Sequence, residues 1–102
     1  MIVSDATALI ILMDLERTEL LSNIFETIYI PDGVYREISA KGAITLPSFI
    51  KKRDIEENSD LTLLMKLLDR GESEAILLAK QMQLGLIIDE KKGRKIAQNY
   101  SL

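Results

Sequence analysis

Apolar and polar positions alternate along this chain in blocks that read as strand, helix and strand in succession. Ile2-Val3 is a short apolar strand closed by Ser4-Asp5, and Ala6 to Leu15 then runs as a helix rich in Ala, Leu and Ile. The stretch 6–13 is apolar almost all round, a pattern that predicts a helix buried between layers. Arg17 and Thr18 interrupt it, and Glu19 to Phe25 resumes helical spacing through Leu20, Leu21, Ile24 and Phe25. Thr27 to Ile30 is β-branched and aromatic, which predicts a second strand, and Pro31 ends it. Asp32 is placed to cap a helix starting at Gly33 and carrying Val34, Tyr35, Glu37 and Ile38, with Lys41-Gly42 closing it. From Ile44 to Ile55 the pattern is mixed and fits a short strand or an irregular excursion.

Periodicity returns at Leu61, Leu64, Met65 and Leu68, a helix that Arg70-Gly71 closes on this reading. A further helix follows through Ala75, Leu78, Ala79 and Met82. Gly85 then precedes Leu86-Ile87-Ile88, a continuous apolar run of the kind a parallel strand buried on both faces requires, ending at Asp89-Glu90. A basic helix over 91–100 completes the chain. The alternation predicts an α/β fold with a mainly parallel sheet. At 102 residues without internal repeats or linkers, the chain is a single domain over 1–102.

Composition narrows the chemistry. There are no cysteines and no histidines, which excludes thiolate zinc sites, disulfide frameworks and histidine-based acid–base catalysis. A net charge of −3 argues against nucleic-acid binding by bulk positive charge, so any such contact is local or cation-mediated. Neither a signal peptide nor a run of 18 apolar residues is present, and the cytoplasm is the expected compartment, with no membrane partner.

What remains is carboxylate chemistry. Asp5 and Asp89 end strands, and parallel sheets bind ligands beyond the carboxyl ends of their strands. Glu74 shares the helix face of Leu78 and Met82, so its side chain points inward. Glu37 sits at the edge of its own helix's buried face. Each acid also has a plain structural reading: Asp5 and Asp89 as helix N-caps, Glu72 and Glu74 as first-turn acids complementing a helix dipole, and Glu37 as a solvated residue. Gathered in one crevice, they raise one another's pKa, and a divalent cation resolves the repulsion. Oxygen-only ligands suit Mg²⁺ or Mn²⁺, and such a site supports phosphodiester hydrolysis by activated water. A haloacid-dehalogenase-type phosphatase would need a second aspartate where Thr7 stands, and a nucleotide binder a glycine-rich turn where Asp5-Ala6-Thr7-Ala8 stands.

Four segments together resemble the PIN domain family: Ser4-Asp5-Ala6-Thr7; Ile30-Pro31 followed by Val34-Tyr35-Arg36-Glu37-Ile38; Gly71 through Ala79, reading GESEAILLA; and Leu86 through Arg94, reading LIIDEKKGR. The similarity is greatest to the prokaryotic branch of VapC-like toxins. It implies a three-layer α/β/α fold in which Mg²⁺ or Mn²⁺ on acidic residues serves RNA cleavage, and toxin relatives pair with an antitoxin protein. Carried over by position, Asp5, Glu37, Glu74 and Asp89 match the acids that hold the metal. Ser4, Thr7, Glu72 and Glu90 match supporting positions, Glu90 standing where the branch often has a second aspartate.

The basic run Lys91, Lys92, Arg94 and Lys95 reads either as a solvated helix face or as a contact for RNA phosphates, and Lys51-Lys52-Arg53 is a second basic patch. Relatives continue with a further strand and helices beyond a segment like Asn99 to Leu102. The resemblance therefore suggests a domain shortened at its C-terminal end, with a sheet edge left for a second copy in a homodimer or higher oligomer. The competing expectation is a catalytically inactive module that works by dimerisation or by binding an antitoxin.

Overall fold

The computed structural model describes residues 1–40, 42 and 44–88. In chain order these form β1 (Ile2–Ser4), α1 (Ala6–Asp14), α2 (Glu19–Ser22), β2 (Ile28–Ile30), α3 (Asp32–Ser39), β3 (Ile50–Lys52), α4 (Ser59–Leu64), α5 (Arg70–Met82) and β4 (Gly85–Ile87). The strands make one sheet of order β3-β2-β1-β4, with every pairing parallel. Ile2 and Val3 lie opposite Ile28 and Tyr29 on one side and opposite Gly85 and Leu86 on the other. The expected α/β class with a mainly parallel sheet is what the chain adopts, and the architecture is of the three-layer α/β/α type. No helix among the described residues is long and apolar enough to cross a membrane.

The segment whose pattern was mixed supplies β3, which adds to β2 with Ile28↔Ile50 and Ile30↔Lys52 opposed. Only one of its three residues, Ile50, is buried, which is why no alternation betrays it: among the described residues the strand is the outermost on its side of the sheet and shows Lys51 and Lys52 to solvent. The strand over 85–87 differs from expectation in burial. It lies at the opposite end of the strand order, and Leu86 and Ile87 are only half-buried.

The helix buried on nearly every side is α5 rather than α1. Residues 71 and 73–79 of α5 are all buried, because α5 packs on β1 and β4, on α3 and on α4. Its Ala75, Leu78 and Ala79 enter the main core with Val3, Leu9, Ile28, Ile30 and Val34. Ile76 and Leu77 instead meet Leu61, Leu64 and Leu68 of the α4 region in a second cluster. In α1 only Ala6 and Leu9 are buried, and Ile11 is 48% exposed. An apolar composition alone does not say which helix is covered; the number of elements packed around it does.

The start of α5 also differs from the boundary expected at Arg70-Gly71. Asp69 is the N-cap: its Oδ1 accepts from the Glu72 amide at 2.8 Å, and Glu72 Oε1 accepts from the Asp69 amide at 3.3 Å, a complete capping box. Likewise Pro31 rather than Asp32 is the N-cap of α3. Asp32 stands in the first turn and pairs with Arg36 at 2.7 Å and Lys52 at 2.8 Å. The expected basic helix over 91–100 lies outside the described residues.

Candidate active site

Because all four strands run the same way, their carboxyl ends open on one edge of the sheet. The chain leaves β1 at Asp5, which is 2% exposed. Its extended backbone makes it the N-cap of α1, and Oδ1 accepts from the Ala8 amide at a long 3.5 Å. The Asp5 amide in turn donates to the Ile87 carbonyl of β4 at 2.9 Å. Ser4, fully buried beside it, donates from Oγ to the Asp5 carbonyl at 3.0 Å. The N-cap reading of Asp5 and its place at the mouth of the sheet therefore hold together.

Glu37 projects from the second turn of α3 towards Asp5 and Asp69. Its carboxyl is held above the ordinary glutamate range, first by loss of solvent, then by the negative charges of Asp69 and Asp5 and by a hydrogen bond to Asp69. Asp69 is a residue the sequence reading missed. The signal was present as Asp69-Arg70-Gly71-Glu72, the D-x-x-E signature of a capping box, but the boundary drawn at Arg70-Gly71 hid it. Glu72, expected to support the site, is engaged in that box.

Glu74 faces inward as its stripe predicted, and it is 4% exposed. Its Oε1 accepts from the Gly33 amide at 2.7 Å, and its Oε2 accepts from Arg70 Nε at 2.7 Å. Two glycines make this approach feasible. A Cβ on Gly33 would come within 3.0 Å of both Glu74 Oε1 and the Gly71 Cα, and a Cβ on Gly71 would run into Glu37 Oε1. Helices α3 and α5 thus cross on a pair of glycines, each bare position receiving the other helix's glutamate. The result is that Glu37 and Glu74 flank one crossing point, Glu37 turned to Asp5 and Asp69, and Glu74 turned to Gly33 and Arg70.

Among the described residues no group of three or more carboxylates is gathered closely enough to hold a metal ion. Thr7 is exposed on the first turn of α1. Asp89, Glu90, Lys91, Lys92, Arg94 and Lys95 lie outside the described residues. Of the second basic patch, Lys52 is taken up by Asp32 at 2.8 Å and stands 5.6 Å from the centre of the Tyr35 ring. The bonded Lys52 ammonium, together with the charges of Arg36 and Arg70, holds the Asp32 carboxyl below its ordinary range.

Over residues 1–102 the chain matches the sequence profile of a family described as a PIN domain. The chain belongs to the PIN domain family. PIN domains are generally nucleases and typically use divalent metal ions. No curated protein and no solved structure matches the chain. For this PIN domain the all-parallel sheet, the acid at the end of β1 and the glutamates of α3 and α5 are consequently the features on which a functional reading rests.

Proposed function

We propose that this chain is a Mg²⁺- or Mn²⁺-dependent ribonuclease of the VapC-like branch, a toxin of a toxin–antitoxin pair or a relative of one, acting in the cytoplasm on RNA phosphodiester bonds. The observation that supports the reading is the match to the PIN domain family over residues 1–102, together with the place of Asp5 at the carboxyl end of β1 and of Glu37 and Glu74 on either side of the α3–α5 crossing. Glu37 retains its proton more readily than a free glutamate, first because its carboxyl loses solvent and then because Asp69 and Asp5 add negative charge nearby. In a chain with no histidine or cysteine, an oxygen-only donor set under mutual repulsion fits a hard divalent cation.

On this reading Asp5, Glu37, Glu74 and Asp89 hold the cation, and Ser4, Thr7, Glu72 and Glu90 support them. When bound, the cation supplies the Lewis acidity that lowers the pKa of water and stabilises the leaving oxygen. The chain's own residues prepare the place. The Ile87 carbonyl and the Ala8 amide fix Asp5 at the start of α1, and the Gly33 amide fixes one oxygen of Glu74. Lys91, Lys92, Arg94 and Lys95 would meet the RNA backbone, giving local positive charge in an acidic protein.

Asp5→Asn tests the reading cleanly, since asparagine caps a helix as well as aspartate and should preserve the fold. The wild-type protein should bind Mn²⁺ in calorimetry and cleave RNA, and both properties should vanish in Asp5→Asn and in excess EDTA. Cleavage that persists in either case would refute a carboxylate-held metal mechanism.

A second reading, an inactive module that dimerises or binds an antitoxin, draws support from Glu74, both of whose oxygens are engaged within the chain. A homodimer or higher oligomer is compatible with either reading, because β4 is the outermost strand on its side among the described residues. Absence of Mn²⁺ binding together with a dimer in equilibrium sedimentation would favour the inactive module.

A further inference from the structure

Between α1 and α3 lies a pocket of about 310 Å³, at the small end of the range of about 300–1,000 Å³ found for small-molecule sites. Ile10 and Met13 line it from α1, and Ile38 and Ile44 from α3 and the segment beyond it. All four belong to the main core or pack against it, so the walls are apolar and held in place. Among the described residues that line the pocket, only Asp14 and Glu37 carry charge. Glu37 also faces Asp5 and Asp69, so the pocket adjoins the candidate active site.

Asp14 stands where helix energetics disfavour it. It is the last residue of α1, where a negative charge opposes the helix dipole. It is exposed and makes no ion pair among the described residues. A carboxylate there accepts hydrogen bonds and donates none, so what it suits is a ligand with donors on one edge.

Sequence-specific contacts to RNA are made mainly to unstacked bases, packed against side chains and read along their edges. Of the four bases, only guanine presents two adjacent donors, N1–H and N2–H, on its Watson–Crick edge. Adenine and cytosine set an acceptor beside the amine, and uracil flanks its one donor with two carbonyls. An apolar pocket with a carboxylate at its rim therefore discriminates in favour of guanine.

We propose that this pocket holds the base of a guanosine in the RNA strand, packed among Ile10, Met13, Ile38 and Ile44 and donating N1–H and N2–H to the Asp14 carboxylate. The proposal rests on the ribonuclease reading and adds to it the base beside which the strand is cut.

The Cε methyl of Met13 reports on the pocket by NMR, and that of Met65, which does not line it, is an internal control. In EDTA, millimolar guanosine monophosphate should shift the Met13 signal and leave Met65 in place. Inosine monophosphate, which lacks the N2 amine, should bind about tenfold more weakly, the loss of one hydrogen bond to a charged group. Adenosine monophosphate should not bind. Asp14→Asn removes a charge unfavourable to α1 and so keeps the fold, yet it should lose the guanine preference. In Mg²⁺, the wild-type protein should cut RNA of mixed sequence beside guanosine, and Asp14→Asn should cut it without that preference.

Equal shifts with all three nucleotides, or none with any, overturn the proposal, and RNA cleavage alike beside all four bases would then leave the ribonuclease reading standing. A larger Met13 shift with agmatine, a guanidinium that carries no ring, overturns it in favour of a pocket for organic cations. Guanine preference in a protein that cleaves no RNA supports the base site and removes the ribonuclease reading.

Discussion

Replacing Glu74 by alanine removes the acceptor that ties the first turn of α3 to α5. The Gly33 amide bonds to Glu74 Oε1 in a buried setting, so losing that acceptor leaves a buried donor unsatisfied, at a cost of about 1–3 kcal/mol. The lost side-chain methylenes were packed at a position only 4% exposed, which adds about 1–1.5 kcal/mol. Arg70, half-exposed, recovers most of its hydration, so its freed charge adds little. The total is about 2–4.5 kcal/mol, against a total stability of about 5–15 kcal/mol for a small domain. At this chain length that is a fall in thermal midpoint of roughly 10–30 °C. Glu74→Gln keeps the oxygen facing Gly33 and loses only the charge-assisted bond to Arg70, so it should cost about 1–2 kcal/mol. Urea denaturation followed by circular dichroism separates the two variants, provided the slope against urea is unchanged. An alanine variant within about 1 kcal/mol of wild type, or one no worse than glutamine, would refute the reasoning, because it would mean that the Gly33 bond contributes nothing.

Two further outcomes concern Glu37. Its folded-state pKa is raised, so its contribution to stability is greatest below the ordinary value of 4.5 and is lost as pH rises through the folded value. In EDTA, the thermal midpoint of Glu37→Gln should therefore gain on wild type as pH rises above 4.5; a difference that does not change with pH would contradict the loss of solvent around the Glu37 carboxyl and the charges of Asp69 and Asp5 beside it. Gly71→Ala should push the Glu37 carboxyl out of its seat over α5. Because that carboxyl can turn into solvent, stability should fall by only about 1 kcal/mol while Mn²⁺ affinity in calorimetry drops at least roughly tenfold, a change of about 1.4 kcal/mol. Affinity equal to wild type would separate Glu37 from the metal.

The order of elements and the parallel class were legible because local signals and tertiary packing agree. Short apolar runs at 2–3 and 28–30 ended at Asp5 and Pro31, and the Leu78–Met82 stripe placed Glu74 on an inward face. Position at the mouth of the sheet marked Asp5 for the same reason, since a residue that caps the helix after a parallel strand stands at the strand's carboxyl end. The sequence by itself thus determined the α/β class, the absence of histidine and cysteine chemistry, and the family.

Only the tertiary structure decided which helix is buried, how the acids divide and what partners them. Burial of α5 rather than α1 follows from the elements packed around each, and the amino acids of one helix do not encode its neighbours. Asp69 joins Glu37, and Glu74 joins Gly33, through contacts between positions more than thirty residues apart in sequence. Those contacts depend on two glycines whose lack of side chains has meaning only where two helices cross. Spacing along one element fixes which face a side chain takes, but its distance from a charge on another element is a property of the packed whole.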